Sequence, residues 1–388
     1  MRTLGVEEEF LLVDPRTGCP LPVASRALDA AADDPKRLPG DAGSRLSGEF
    51  QLEQLEVSTK PCETLATLAG QIAAGRVAAD TAAQASGARI VALATSPMPA
   101  TPHLRPNRRY AEMARMHGIV AAEQLTCGMH VHVEVSSAEE GVGVLDGIRS
   151  WLPVLLALSA NSPFWNGHDT SYASFRSRVW NRWPTSGPTP IFGSVAAYDR
   201  LVGDLLATGV LLDKGMVYFD ARLSRTFPTV EIRVPDVCLD LGAAELVAGL
   251  SRALVETAAR QWRLGIPPAP VPSSLLRAGM WQAARGGLEG DLLDPRTSRP
   301  APAYQAVAAL VDHVRTALAG FGDSERIRYL IKRRLSHGSC AHRQRQAYAV
   351  RQRFSDVVAA AVVDTHGAPD DAREDEWTQP RLAARGLK

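Results

Sequence analysis

The chain has 388 residues, 45% of them hydrophobic, and a formal net charge of +1, from 43 Lys and Arg against 42 Asp and Glu. That length and apolar share provide one large core or two modest ones and exclude a chain disordered over most of its length. Near-neutrality leaves no broad field to hold nucleic acid or an anionic membrane, so neither is expected as a partner.

The five cysteines (Cys19, Cys62, Cys127, Cys238, Cys340) are scattered and never form a C-x-x-C pair, which predicts reduced thiols in a cytoplasm. Met1 leads straight into an acidic strand-like segment, with no basic region and apolar run of a signal peptide. No window is expected to reach the roughly 18 apolar residues of a membrane span; the run 151–158 is too short.

Alternation with period two predicts strands over 4–13, 52–59, 90–94, 128–135, 216–223 and 229–234. Helical periodicity predicts helices over 65–86, 141–160, 196–208, 241–263, 275–285, 303–319 and 344–363. This is the pattern of an α+β fold with helices packed on one face of a sheet. No break separates two independent strand sets, so residues 1–365 are expected as a single catalytic domain. Residues 366–388, charged and aperiodic, are expected as a mobile tail.

The strands carry the chemistry. In Gly5-Val6-Glu7-Glu8-Glu9-Phe10, Glu7 and Glu9 share one face, while Glu8 joins Val6 and Phe10 on the other. Glu49 and Glu56 are seven apart and of opposite parity, so a bulge or turn after Glu49 is required to bring both to one site. In Gly128-Met129-His130-Val131-His132-Val133-Glu134-Val135, the two histidines and Glu134 face away from a valine face that must be buried. Segment 216–223 puts Tyr218, Asp220 and Arg222 on one face, and 229–234 does the same with Glu231 and Arg233; residues 224–228 are short enough to close the two into a hairpin.

A solvated edge strand accounts for any one of these faces, because exposed acids are commonplace. It does not account for Glu dominating all of them. Crowded carboxylates repel unless cations neutralise them, and oxygen-rich ligation suits Mg²⁺ or Mn²⁺ rather than zinc. Mg²⁺ with open positions usually meets substrate phosphates, which brings in a nucleotide.

Two further signals lie outside the strands. Lys332, Arg334 and Arg343 belong to the one basic cluster and are the candidate contacts to a nucleotide's phosphates, with a solvated helix end as the alternative. Arg176, Arg178, Trp180, Arg182 and Trp183 crowd a short segment between prolines and suggest a lid over the substrate.

Several motifs together resemble the bacterial carboxylate-amine ligases, also called type 2 glutamate-cysteine ligases. They are Gly5 to Phe10 as written above, Cys127-Gly128-Met129-His130-Val131-His132, Ser159-Ala160-Asn161-Ser162-Pro163-Phe164-Trp165 and Arg178-Val179-Trp180-Asn181-Arg182-Trp183-Pro184. The resemblance runs in order to about residue 363. It implies a fold related to the catalytic domain of glutamine synthetase: a curved antiparallel sheet with the site on its inner face and helices on its convex face. It also implies that Glu7, Glu9, Glu49, Glu56, His130 and Glu231 hold metal ions and that Arg233 lies beside the substrate.

The implied reaction uses ATP and Mg²⁺, with Mn²⁺ as an alternative, to join a carboxylate, glutamate by expectation, to an amine such as cysteine through an acyl phosphate. Arg222 and Arg233 would hold carboxylate or phosphoryl oxygens. A homodimer is the expected assembly. The competing readings are a metal-dependent hydrolase of the amidohydrolase kind, suggested by His130-Val131-His132, and a binding protein that keeps the fold without turnover.

Overall fold

Leu4–Val13 forms the first strand, β1, and the side chains along it alternate between a buried and a half-buried face until both are covered. The computed structural model describes residues 1–33 and 45–367; the expected tail, apart from its first two residues, lies outside the described residues. The other strands of the main sheet are β2 (Arg45–Gly48), β3 (Gln54–Ser58), β4 (Arg89–Val91), β5 (Met129–Glu134), β6 (Ala221–Leu223) and β7 (Thr229–Ile232). Their order is β2-β3-β1-β5-β7-β6, with β4 against the far end of β1, and each pairing is antiparallel.

One face of the sheet is covered by helices. Val6, Phe10, Met129, Val131, Val133, Val230 and Ile232 are at most 1% exposed there, as the alternation requires. Helices Leu65–Gln84 and Leu241–Arg263 pack behind them, and sixteen of the 23 residues of the latter are buried. Asp240 caps its N-terminus by accepting from the Ala243 N–H.

Three of the expected elements are broken or shortened. The helix expected over 141–160 is two helices, Ala138–Ile148 and Leu152–Ser159, joined by a 3₁₀ turn. Together they are long and apolar enough to cross a bilayer by length and composition alone, but 89% of that apolar stretch is buried inside the protein, as core structure is. The helix expected over 344–363 is also two, Cys340–Arg351 and Phe354–Thr365, parted by Gln352 in a left-handed conformation (φ 54°).

The strand expected over 216–223 is reduced to β6. The carbonyls of Gly215 and Val217 accept from the Arg222 guanidinium (3.2 and 2.9 Å) and so bond to a side chain rather than to a neighbouring strand. Asp220 is buried away from the cavity that Tyr218 and Arg222 line, off the expected polar face.

Candidate active site

Register alone assembles the uncovered face. Across β1 and β3, Glu9 stands opposite Glu56; across β1 and β5, Glu7 stands opposite His130. Across β5 and β7, His132 stands opposite Glu231, which in turn stands opposite Arg222 across β7 and β6. Glu49 arrives by the turn its parity required: β2 ends at Gly48, the chain turns back, and β3 returns with Ser47 opposite Glu56. Glu7, Glu9, Glu49, Glu56, His130, Glu231, Arg222 and Arg233 thus line one cavity of about 420 Å³.

The acids in that cavity fall into two groups. Glu9, Glu49 and Glu56 offer oxygens within 4.8 Å of one another, and so do Glu7, His132 and Glu231 with their oxygens and nitrogen. Burial, and then Glu56, push Glu9 up to about 7. Burial followed by Glu56 and Glu9 holds Glu49 well above the usual carboxylate range, and burial with Glu7 raises Glu56. Among the described residues, the groups hydrogen-bonded to this trio include a hydroxyl and N–H groups: Ser47 Oγ donates to Glu56 (2.9 Å), the Gly128 N–H to Glu9 (2.6 Å) and the Phe50 N–H to Glu49 (3.2 Å). His130 Nε2 is 3.9 Å from Glu9. Close-set acids with no arginine bonded to them fit a divalent cation.

Glu231 is treated differently. Burial works to raise it, but Arg233 and Arg222 outweigh that and hold it well below the usual range. Arg222 binds it through two nitrogens (2.8 and 3.2 Å), and Arg233 Nη1 donates to the same carboxylate. Arg222 is therefore committed to Glu231 and two carbonyls, whereas Arg233 keeps a buried Nε without a hydrogen-bond partner. His130 is pushed down to about 4 by burial and by Arg233, so its ring is neutral at neutral pH.

The wall is aromatic. Trp180 and Trp183 pack edgewise on Tyr218 (ring centroids 4.9 and 5.5 Å apart), and Phe50 packs on Tyr110 (5.1 Å). Trp183 Nε1 donates to Gln124 (3.0 Å). Of the segment expected as a lid, Trp180 and Trp183 line the cavity, while Arg176 is 3% exposed: its N–H donates to Ser162 Oγ (2.9 Å), and its guanidinium donates to the carbonyls of Arg233 and Val234 (both 3.3 Å). Residue 128 must be glycine for that anchor, because a Cβ there would sit 2.2 Å from the Arg176 guanidinium. Arg178 does not line the cavity.

The basic cluster is elsewhere. Arg334 and Arg343 both bond to Asp240 (3.1 and 2.6 Å), and Arg343 also bonds to Asp364 (2.6 Å). Asp240 follows Cys238 and Leu239, whose carbonyls accept from Arg76, the partner of Glu8 on the helix-covered face. Lys332 is exposed on the same helix as Arg334. Lys332, Arg334 and Arg343, expected as nucleotide contacts, do not line the cavity, and Arg334 and Arg343 are held by Asp240. His132, which the sequence places on the same face as His130 but outside the expected ligand set, stands with Glu7 and Glu231. The sequence reading missed the rim ion pair of Arg109 with Asp213 (2.6 Å), which the fold draws from far apart in the chain.

Comparison with known proteins places these features in context. The model of glutamate-cysteine ligase family 2 matches residues 3–363. A protein of Paenarthrobacter aurescens named "Putative glutamate--cysteine ligase 2-1" is 50% identical over 94% of this chain and 95% of its own length. A Streptomyces coelicolor protein with the corresponding name is 51% identical over 95% of this chain and 100% of its own length. Among solved structures, the glutamate-cysteine ligase of Francisella tularensis, in complex with AMP, superposes with a TM-score of 0.64 at 13% identity, over 95% of this chain and 90% of that one. That likeness is one of fold.

Proposed function

We propose, from the premise that this chain belongs to glutamate-cysteine ligase family 2, how its ATP-dependent joining of a carboxylate to an amine is carried out at the cavity, with glutamate as the acid. The observation that supports the reading best is the meeting of five glutamates and two histidines from separate strands on one sheet face. The hydrolase alternative is not favoured: it rested on two histidines of one strand, and here they stand in an antiparallel sheet among carboxylates.

A carboxylate is a poor acyl donor at neutral pH. Transfer of the γ-phosphoryl group of ATP to it gives ADP and an acyl phosphate. The amine nitrogen then attacks the acyl carbon, the tetrahedral intermediate collapses with loss of inorganic phosphate, and an amide remains. Glu7, Glu9, Glu49, Glu56, His130 and Glu231 would hold Mg²⁺, which when bound offsets charge on the transferring phosphoryl group. Arg233, buried and held over Trp180 with its ring 5.6 Å away, is aimed at a carboxylate or phosphoryl oxygen. Arg222 acts through Glu231, fixing its orientation. The tryptophan wall limits water at the acyl phosphate, whose hydrolysis would waste ATP. A cytoplasmic location, suggested by five unpaired cysteines, and a homodimeric assembly complete the proposal.

The test uses glutamate labelled with ¹⁸O in its side-chain carboxylate, a panel of amines that includes cysteine, and Mg²⁺-ATP. The expected result is ADP, an amide product by mass spectrometry, and ¹⁸O in the released phosphate. Amide formation with AMP in place of ADP, or with unlabelled phosphate, overturns the acyl-phosphate route.

A further inference from the structure

A second cavity, of about 690 Å³, lies between the helices Ala138–Ile148 and Leu241–Arg263 and shares no lining residue with the one on the sheet. It is the larger of the two and falls within the roughly 300–1,000 Å³ of small-molecule sites. Glu139, Val142, Gly143, Asp146 and Gly147 recur at helical spacing and turn one face of the first helix toward it. The glycines on that face shape the space. Gly147 lets the two helices approach until a Cβ there would sit 3.0 Å from that of Ala258, and a Cβ at Gly143 would run into the Trp262 ring, which lies against the bare helix backbone. Trp151, stacked on His313 (ring centroids 4.2 Å apart), and the loop residues Ile266, Pro267 and Pro268 supply the other walls.

The polar groups converging here are unlike those on the sheet. Ser150 is 8% exposed, and its hydroxyl, like the Gln261 amide and the His313 imidazole, has no hydrogen-bond partner among the described residues. A buried hydroxyl left unpaired is costly unless something completes it. Two carboxylates reach the lining. Asp146 accepts from the N–H groups of Phe192 and Gly193 (both 2.8 Å), and Glu139, exposed one turn before Gly143 and so on the Trp262 side, is in no ion pair among the described residues. Among the described residues no lysine or arginine lines this cavity, whereas four arginines line the one on the sheet. Burial holds the His313 imidazole below its usual range, so it adds no positive charge at neutral pH.

We propose that this cavity binds a protonated aromatic amine, with its ring on the tryptophans and its ammonium toward Glu139. Tryptophan faces attract cations and desolvate a flat apolar ring, and two carboxylates with no basic group beside them repel anions. Nucleotides and acidic amino acids are excluded on the same ground. The inference goes beyond the ligase reading and does not depend on it.

The test titrates the full chain, without nucleotide, with tryptamine and with indole-3-propionate, which share a ring and differ in the sign of their charge; heat of binding is the readout. One tryptamine per chain is expected to bind, at least about tenfold more tightly than the propionate. Glu139→Gln, an exposed position at which folding is not at risk, is expected to lower that preference about threefold or more, and Trp262→Ala to weaken tryptamine about fivefold or more. Glu9→Gln, which alters the other cavity, is expected to bind tryptamine as the wild type does. Equal affinity for the two probes, or unchanged binding in both Glu139→Gln and Trp262→Ala, overturns the proposal. So does loss of binding in Glu9→Gln, which would put the amine in the cavity on the sheet. Absence of tryptamine binding, with Trp262→Ala lowering the molecular mass seen by light scattering, would give this groove to a second copy of the chain and also overturns it.

Discussion

Glu8 and Glu9 are neighbours on β1, and the sheet sends them to opposite fates. Glu8, on the helix-covered face, meets Arg76 through both carboxylate oxygens (2.5 and 3.1 Å), and Arg76 also donates to the carbonyls of Cys238, Leu239 and Thr365. Glu9, on the uncovered face, meets Glu56 and Glu49 instead. They adjoin on one strand, yet buried Glu8 is neutralised by an arginine, whereas half-buried Glu9 faces other carboxylates, where the proposed reading puts a cation. The charge of its partner decides the role of each acid.

The largest effect is expected where the neutralised pair is broken. Arg76→Met leaves Glu8 charged and unpaired inside the protein, and unfolding in urea should show a loss of about 3–5 kcal/mol. Adding Glu8→Leu to that variant should recover most of the loss, because an apolar pair of similar volume replaces a buried ion pair at little cost. A loss below about 1 kcal/mol in the single variant would show that the pair does not tie β1 to its helix, and the contrast between the faces would weaken.

On the uncovered face the expected outcome is reversed: function falls while stability rises. Glu9→Gln should lower kcat/KM for amide formation by about a hundredfold or more, since a preorganised charge is lost where charge develops. In chelator, the same variant should melt higher than the wild type, by a margin that grows with pH. The folded-state pKa of Glu9, about 7, lies above the roughly 4.3 of an unfolded glutamate. Ionisation in the native state therefore costs stability progressively as pH rises from about 4 through 7, and glutamine escapes that cost. Melting temperatures at pH 5 and pH 8 check it; a margin that does not grow would mean that Glu9 carries no strain from its neighbours.

Much of this contrast was legible in the sequence, because strand parity is a strict rule. β1 and the helix Leu241–Arg263 have the bounds their periodicity set, and the requirement for a turn after Glu49 followed from an odd spacing. Pairing across long separations was not legible. Arg334 reads as a free cation until the fold brings it to Asp240, and nothing local marks that acid as its partner. Likewise, the alternation of Tyr218, Asp220 and Arg222 reads as a strand face until Arg222 takes up the carbonyls that a ladder would have used. A parity argument holds only where the backbone bonds go to a neighbouring strand.

Asp80 gives the smallest effect and the clearest sign. It lies on the same helix as Arg76 and is 5% exposed; it accepts from Arg89 Nε (2.8 Å), Gln84 Nε2 (2.7 Å) and the Ile90 N–H (3.1 Å), with His366 at 3.5 Å. Burial works to raise its carboxyl, and His366 and Arg89 outweigh that and hold it well below the usual range. Its folded pKa is thus below the roughly 3.9 of an unfolded aspartate. Stability from it is fully present above that value and is lost as pH falls toward the folded one, the opposite of Glu9. Asp80→Asn should cost about 1–2 kcal/mol at pH 7, and the gap to the wild type should close as pH drops below about 4. Urea midpoints of the two proteins across that range carry the comparison: a gap that stays constant would mean that Asp80 acts through shape and hydrogen bonds. Only a closing gap makes it, like Glu8, an acid whose charge the rear face neutralises.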